Sequence, residues 1–183
     1  MERELILRAK RGDGEAFSRL VSSNLKRLYR ACYFMLRDVE ETADLCQEVF
    51  LRAYRAIANF DADRPFYPWI YTIMRNLYIN KLNRRAPLTG QYDADQIPDS
   101  SDDPEERFLK KETVQNLMQA LDALAQSDRE ILILRHWSDC SYQELSEILS
   151  IPKGTVMSRL YYARVRLRER MAEIEGEAYD DLQ

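Results

Sequence analysis

Apolar residues recur at spacings of three and four along most of the chain, and this pattern is interrupted between Arg85 and Glu105. Such spacings place side chains on one face of an α-helix, whereas a half-buried strand would alternate every second residue. The interrupting stretch holds three prolines, one glycine and six acidic residues, with few large apolar side chains that could form a core. We therefore predict an all-α protein in which two small helical domains are joined by a flexible acidic linker.

Three amphipathic helices are predicted before the linker. The first runs from Gly14 to Leu36, and Asp38 can cap the second, because an aspartate accepts hydrogen bonds from the free amides of a first turn. The loop from Asn59 to Pro68 ends the second helix, and Pro68 fits the first turn of the third. The residues expected to face inward are Phe17, Leu20, Val21, Leu25, Leu28, Tyr29, Cys32, Leu36, Ala43, Cys46, Val49, Phe50, Ala53, Ile57, Trp69, Ile70, Ile73, Met74, Leu77 and Leu82.

Two capping boxes mark helix starts in the second half of the chain. Helical periodicity resumes at Phe108, and the segments Ser127–Glu130 and Ser141–Glu144 both carry serine followed three residues later by glutamate. The second box opens a short helix, which Ser150–Gly154 ends, and Thr155 is expected to cap a long basic helix. This order of helix, tight turn and helix predicts a helix-turn-helix.

The formal net charge of −4 conceals a segregation of charge along the chain. Residues 86–107 carry seven acidic side chains and one basic one, whereas residues 153–170 carry six basic side chains and one acidic one. A short basic segment in an otherwise acidic protein favours contact between a small part of its surface and a polyanion.

The basic helix is suited to reading duplex DNA, because the second helix of a helix-turn-helix places its first half in the major groove. Its candidate contacts are Lys153, Thr155, Ser158, Arg159, Tyr161, Tyr162 and Arg164. The alternative is a basic solvated helix of an ordinary bundle. For Arg166, Arg168 and Arg170, phosphate contact or solvation is expected instead of base readout.

The third helix mixes aromatic, amide and basic side chains on the face expected to point outward. These are Tyr71, Arg75, Asn76, Tyr78, Asn80, Lys81, Asn83 and Arg84, and Phe60, Phe66 and Tyr67 in the preceding loop are expected to extend this surface. Rings stack on unpaired bases and amides bond their exposed edges, so this face suits single-stranded nucleic acid. The alternative is that the aromatics belong to the core, as expected for Trp69. On the second helix, an exposed Leu51 among charges fits either a partner helix or a solvated face.

Several other classes of protein are not favoured. Cys32, Cys46 and Cys140 are odd in number and far apart in sequence, so neither a disulfide framework nor a zinc site is expected, and the thiols are expected to be structural. The chain lacks a glycine-rich phosphate loop and a nucleophile with a basic partner, so we expect no enzyme, catalytic residue, metal or cofactor. It has no apolar run of bilayer length and begins with a charged amphipathic segment, so a cytoplasmic protein without membrane insertion is expected.

The chain resembles bacterial RNA polymerase sigma factors of the extracytoplasmic-function (ECF) group over almost its whole length. The stretches AKRGDGEAFSRLV, DLCQEVFLRAYRAI and FYPWIYTIMRNLYINKL resemble the region 2 of that family, and LDALAQSDREILILRHWSDCSYQELSEILSIPKGTVMSRLYYARVRLRE resembles its region 4. The resemblance implies a three-helix region 2 block over residues 1–86, a linker over 87–106, a region 4 block over 107–175 and an acidic tail over 176–183.

The resemblance also implies a non-catalytic subunit that binds core RNA polymerase, directs it to particular promoters and helps to open the duplex. Residues that would dock on the polymerase clamp are Asp44, Gln47, Glu48, Leu51 and Arg52. Residues that would capture melted DNA of the downstream promoter element are Phe60, Asp61, Arg64, Tyr71, Asn76 and Asn80. Residues that would lie along the upstream element in the duplex are Arg135, Tyr142, Lys153, Gly154, Thr155, Ser158, Tyr161 and Arg164.

Partners implied by the resemblance are core RNA polymerase, promoter DNA and an anti-sigma factor. Two positions depart from the family pattern: Met157 stands where arginine is frequent, and Tyr162 stands where a basic residue is common. Both changes replace cationic contacts with apolar ones and bear on the upstream sequence preference. The competing function is a stand-alone dimeric helix-turn-helix regulator that does not bind core polymerase, which would leave the first block unexplained.

Overall fold

The computed structural model describes residues 1–84 and 104–180, and every regular element in these ranges is helical. The α-helices are α1 (Glu2–Lys10), α2 (Gly14–Leu36), α3 (Val39–Ala56), α4 (Phe66–Arg84), α5 (Pro104–Asp122), α6 (Gln126–His136), α7 (Tyr142–Leu149) and α8 (Lys153–Asp180), with a 3₁₀ turn at Ile57–Asn59. The all-α prediction is confirmed. Most of the predicted linker lies outside the described residues. Helix α5 begins at Pro104, within the last three residues of that predicted linker, and a proline is tolerated in the first turn of a helix.

The chain forms two compact units, and each unit combines two segments that are separated in sequence. One contains Met1–Gly90 together with Ile133–Val156, and the other contains Gln91–Leu132 together with Met157–Gln183. The domain boundaries given above stay a prediction.

The first block contains a fourth helix that the sequence reasoning did not count. The amphipathic segment at the N-terminus forms α1, which packs on α2 and buries Ile6 and Ala9. The Asp13 carboxylate caps α2 by accepting a bond from the amide of Ala16 at 3.0 Å, and it also pairs with Arg8 at 2.7 Å. This carboxylate therefore fixes the turn between the two helices.

In α2 and α3, two of the residues predicted to face inward are exposed, whereas in α4 only Ile70 and Met74 of the predicted stripe are buried and its other members are half-buried. The predicted cap of α3 is confirmed, because the Asp38 carboxylate accepts from the amide of Glu41 at 2.8 Å. Leu25 is 43% exposed, because its neighbour Asn24 takes the inward place and donates to the carbonyl oxygen of Leu20 at 2.8 Å. Ala43 is exposed too, with Thr42 buried beside it.

Of the two capping boxes predicted in the second half of the chain, one is present in the structure and the other is not. The Ser141 box is confirmed, since the Ser141 hydroxyl accepts from the amide of Glu144 at 3.2 Å and the amide of Ser141 donates to the Glu144 carboxylate at 2.8 Å. The box at Ser127 is wrong, because α6 begins at Gln126 and the carbonyl oxygen of Ala125 accepts the bonds of its first turn.

Helix α8 begins two residues before the predicted cap. Lys153 is its first residue and the carbonyl oxygen of Pro152 accepts from the amide of Val156, so Thr155 lies inside the helix and the prediction that it caps α8 is wrong. The turn before it is tight: Ser150 has φ of 53°, and the Ser146 hydroxyl donates to the carbonyl oxygen of Ile151 at 2.6 Å. The helix continues to Asp180, into the acidic tail.

A half-buried arginine on α2 connects the N-terminal helices to the segment between α6 and α7. Arg27 donates to the carbonyl oxygen of Ser138 and to the Glu144 carboxylate, both at 2.8 Å. Its guanidinium carbon lies 3.8 Å from the ring centroid of Tyr67 on α4. The contact joins residues more than a hundred positions apart, so no local pattern indicates it.

Candidate nucleic-acid interfaces

Helix α8 presents a sharply two-sided surface from its first turn onward. Its inner stripe of Val156, Leu160 and Ala163 is at most 1% exposed. The predicted duplex contacts on this helix are exposed except Arg159, which is half-buried; the exposed ones are Lys153, Gly154, Thr155, Ser158, Tyr161, Tyr162 and Arg164. Burial of one stripe fixes the rotation of the helix, so the polar and basic residues on the other side are exposed to solvent.

The same exposed side carries two residues that depart from the family pattern. Met157 is 59% exposed and Tyr162 is 56% exposed, comparable with Tyr161 at 62%. The rings of Tyr161 and Tyr162 meet edge to face, with centroids 5.4 Å apart. An apolar surface thus lies among the basic residues of α8.

Arg135 and Tyr142, the remaining predicted duplex contacts, lie next to each other. Arg135 is half-buried and donates to the carbonyl oxygen of Cys140 at 2.8 Å. Its guanidinium carbon lies 5.3 Å from the centroid of the Tyr142 ring, which is 40% exposed. Arg135 therefore supports the loop before α7 and steadies the tyrosine, while part of its charge stays accessible to solvent.

The third predicted helix, observed as α4, has its aromatic residues in a different place from the prediction. Tyr71 is 0% exposed and Tyr78 is 8% exposed, so their assignment to the outward face is wrong. The physical reason is the helical phase: together with Tyr67, Ile70 and Met74 they form one buried stripe at spacings of three and four. Tyr71 cannot offer its ring to a base in this structure.

Phe66 and Tyr67 are 0% and 1% exposed, so their assignment to the accessible surface is wrong as well. Phe60 is likewise buried, at 6% exposure, where the sequence reasoning placed it on the accessible surface. Its ring stacks on Trp69, with centroids 4.3 Å apart and planes 20° from parallel, and it meets Phe66 edge to face. Trp69 itself is only half-buried. The aromatic cluster therefore shapes the loop before α4 and leaves one indole partly open to solvent.

The polar members of the predicted single-strand site remain accessible. Asp61, Arg64, Asn76 and Asn80 are all exposed. The Asp61 carboxylate accepts from the amide of Asp63 at 3.0 Å, which holds the loop in a turn. The loop is also tied to α1, because Lys10 donates to the carbonyl oxygen of Phe60 at 2.6 Å.

Helix α3 presents the residues predicted to dock on polymerase. Asp44, Gln47, Leu51 and Arg52 are exposed, and the half-buried Glu48 pairs with Arg52 at 2.6 Å. A groove of about 530 Å³ runs between α3 and α4, and it is lined by Asp44, Leu45, Glu48, Arg52, Leu77, Asn80 and Lys81. Asn80, which the sequence reasoning grouped with the loop at Phe60, also lines this groove.

The three cysteines are buried, and two of them are neighbours. The sulfur atoms of Cys32 on α2 and Cys46 on α3 lie 3.6 Å apart, although the two residues are separated in sequence. Burial raises the pKa of the Cys140 thiol to about 12. Among the residues that the structure describes, no group of histidine, cysteine, aspartate and glutamate side chains could hold a metal ion.

The part of the chain described by the structure holds no helix that is both long and apolar enough to cross a membrane.

The comparisons with known proteins agree on one family. A family model described as Sigma-70 region 2 matches residues 20–87, and one described as Sigma-70, region 4 matches residues 114–167.

Curated relatives match over nearly their full length. The chain is 32% identical to the ECF RNA polymerase sigma factor SigW of Bacillus subtilis, covering 95% of this chain and 98% of that protein. It is 30% identical to the RNA polymerase sigma-H factor of Pseudomonas aeruginosa, covering 97% of each chain. It is 31% identical to the ECF RNA polymerase sigma-E factor of Escherichia coli, covering 87% and 88%.

Solved structures share the fold. CnrH in complex with the cytosolic domain of CnrY superposes with a TM-score of 0.72 at 24% identity, covering 94% of this chain and 97% of CnrH. The sigma factor RpoE of Bartonella quintana, solved with the anti-sigma factor NepR, gives a TM-score of 0.68 at 22% identity, covering 85% and 96%. At these identities the likeness shows the fold alone.

Proposed function

The chain belongs to the ECF group of RNA polymerase sigma factors, which direct transcription to particular promoters, and we propose how its helices divide this work. In this proposal α3 docks on core RNA polymerase, the loop before α4 and the exposed amides of α4 hold melted downstream DNA, and α8 reads the upstream element. The working domains are residues 1–86 and 107–175, with a linker at 87–106 and a tail at 176–183.

The observation that carries the proposal is the two-sided surface of α8. A tight turn at Ser150 precedes a helix whose inner stripe is buried and whose outer side carries Lys153, Ser158 and Arg164. An exposed basic helix behind a short turn fits the major groove, where side chains reach base edges while basic groups neutralise phosphates.

Docking on polymerase is supported by an exposed leucine on a charged helix. Leu51 is 45% exposed and directly precedes Arg52, which forms an ion pair with Glu48. The fully buried centre of a protein interface is more apolar than its polar rim, and a few residues at that centre contribute most of the binding energy. We therefore assign Asp44, Gln47, Glu48, Leu51 and Arg52 to this surface.

Capture of melted DNA rests on fewer rings than the sequence reasoning supposed. With Phe60 and Tyr71 buried, the accessible groups are Asp61, Arg64, Asn76, Asn80 and the open part of Trp69. Amides and a guanidinium can bond the edges of an unpaired base, and the partly open indole can stack on it. Phe60 is proposed to support Trp69 from behind.

We further propose that the protein acts as a binding subunit without a reaction of its own, located in the cytoplasm with the polymerase and the chromosome.

An anti-sigma factor is the proposed inhibitor, since the structural relatives CnrH and RpoE were solved with CnrY and with the anti-sigma factor NepR.

Run-off transcription with core polymerase on genomic fragments tests the proposal as a whole. We expect new transcripts that start at discrete promoters and require the full chain. If the chain bound duplex DNA as a dimer, produced no transcripts and did not retain core polymerase, the stand-alone regulator would be the correct reading.

The docking surface has its own test with a matched control. Leu51 and Leu25 are almost equally exposed, at 45% and 43%, on α3 and α2 respectively. We expect Leu51→Asp to abolish retention of core polymerase in a pull-down, while Leu25→Asp leaves retention unchanged. Equal retention by both variants would remove α3 from the interface.

A further inference from the structure

An exposed apolar surface occupies the second and third turns of α8. It consists of Met157, Tyr161 and Tyr162, which are 59%, 62% and 56% exposed. Single exposed apolar residues are common on proteins, whereas a contiguous group is typical of a surface that binds something. The group lies in the segment already assigned to DNA, so its chemistry bears on what that segment reads.

The buried side of α8 fixes the direction in which Met157 points. Successive residues of a helix are separated by about 100°, so Met157 is held outward by the burial of Val156 and Leu160 on the neighbouring stripe. Met157, Tyr161 and Arg164 form one exposed stripe at spacings of four and three. The thioether thus lies in line with a ring and a guanidinium.

The charges around this surface indicate a nucleic-acid occupant. Lys153 precedes it and Arg164 follows it, and Ser158 lies between them, all exposed. Phosphates on both sides of a groove neutralise such cations, and the base edges lie between those phosphates. The apolar group therefore faces the part of the duplex that lies between the phosphates, which is the base edges.

We propose that Met157 reads the 5-methyl group of a thymine in the major groove of the upstream promoter element, an inference that rests on the proposed function. The major groove displays hydrogen-bond donors and acceptors, and the thymine methyl is the apolar group among them. A thioether carries no charge and adapts its shape to a methyl group. Met157 thus selects a T·A pair where an arginine would select guanine.

The experiment begins with selection of promoters by the reconstituted holoenzyme. Full-length protein bound to core polymerase selects from duplexes in which the upstream element is randomised. We expect a T·A pair at one position for the parent, a relaxed choice there for Met157→Ala and a shift to G·C for Met157→Arg. Leu25→Ala, which trims an exposed leucine outside α8, should leave the choice unchanged.

Removing single thymine methyl groups from the DNA, with the parent protein and with Met157→Ala, then tests the contact between Met157 and the methyl group directly. Deoxyuridine replaces each thymine of the selected upstream element in turn, which removes the methyl group and keeps every hydrogen-bonding atom. At one position the parent holoenzyme should bind about fourfold more weakly, the fold-change expected for one buried methyl group. The Met157→Ala holoenzyme should lose less than twofold at that position, because its partner for the methyl group is gone.

Two outcomes would overturn the proposal. The first is equal loss for parent and Met157→Ala at every thymine, and the second is selection of G·C by the parent at the position that Met157→Arg alters. Run-off transcription in the same reactions separates this failure from failure of the proposed function. Transcripts with no methyl effect refute the role of Met157 alone, whereas absence of polymerase binding and transcripts refutes both.

Discussion

Replacing Arg27 with methionine removes the cation that ties α2 and α4 to the segment between α6 and α7. The change keeps an apolar stem of similar length but removes the donor that Arg27 supplies to the carbonyl oxygen of Ser138 and to one oxygen of the Glu144 carboxylate. Ser138 is 0% exposed, and the side chains of Arg27 and Glu144 are 27% and 17% exposed, so water can replace only part of what is lost.

The expected cost follows from this burial. Removing one partner of a fully buried ion pair costs about 3–5 kcal/mol, and exposed pairs contribute about 0–1 kcal/mol. Arg27 lies between these limits and also covers the Tyr67 ring at 3.8 Å. We therefore expect Arg27→Met to lower the free energy of unfolding by about 2–3 kcal/mol, between the two classes of ion pair.

Arg30 provides the control, because it lies one turn further along the same helix and makes weaker contacts. Its side chain is 43% exposed, and its nitrogen lies 3.9 Å from the Asp139 carboxylate. Arg30→Met should cost less than about 1 kcal/mol, as for a surface ion pair. Urea unfolding of the full chain, followed by circular dichroism and by tryptophan fluorescence, measures both. Equal destabilisation by the two variants would refute the reasoning.

Glu144→Gln isolates the charge, because glutamine can still serve in the capping box with Ser141. Burial alone would raise the pKa of Glu144, but bonds from the Ser141 amide and from Arg27 outweigh it and hold the pKa below its ordinary value of 4.5. The stabilisation from this lowered pKa is complete above pH 4.5 and is lost as the pH falls through the folded pKa. The stability difference between parent and Glu144→Gln should therefore shrink in acid; a constant difference would contradict the charge-based account.

Three further changes test other parts of the molecule. Lys153→Ala should weaken duplex binding by the holoenzyme and lower the slope of log K against log salt by about 0.9, the value for one phosphate contact; an unchanged slope would exclude such a contact. Asn76→Ala should leave duplex affinity intact and slow promoter opening in permanganate footprinting, and opening at the parental rate would remove Asn76 from the site. Asp38→Ala should cost about 1 kcal/mol of stability in urea unfolding through loss of the α3 cap, whereas Glu40→Ala, in the same first turn, should cost less.

The features that the sequence predicted well are those whose cause is local. Asp38 and Ser141 cap their helices because the amides that they bond lie within three residues. The inward stripe of α2 follows from spacing alone, except where Asn24 displaces Leu25 by bonding its own helix backbone. The capping predictions failed at Ser127 and Thr155, because α6 and α8 begin before these residues, at Gln126 and Lys153.

The features that the sequence did not predict depend on which helices pack together. Tyr71 and Tyr78 lie on a stripe that α4 buries, and residue type alone did not reveal that phase. Tyr67 and Ile70 belong to the same stripe, so counting from these two residues would have indicated it. The approach of Cys32 to Cys46 arises from the packing of α2 on α3, which spacing along one helix cannot indicate.

The exposed side of α8 has its cause within the helix itself. Val156, Leu160 and Ala163 form a complete apolar stripe, so the remaining sides of the helix must face outward. The contacts of Arg135 could not be predicted in this way, because its partners Cys140 and Tyr142 lie beyond the end of α6.

Glu144 uses its two oxygen atoms for two different neighbours. One accepts from the amide of Ser141 and the other from Arg27, which lies 117 positions away. A change at position 144 is therefore felt at once at the start of α7 and on α2, so few single substitutions there can be neutral. Among descendants of this gene, we expect positions 27 and 144 to be replaced in pairs, with Ser141 drifting only where another capping residue takes its place.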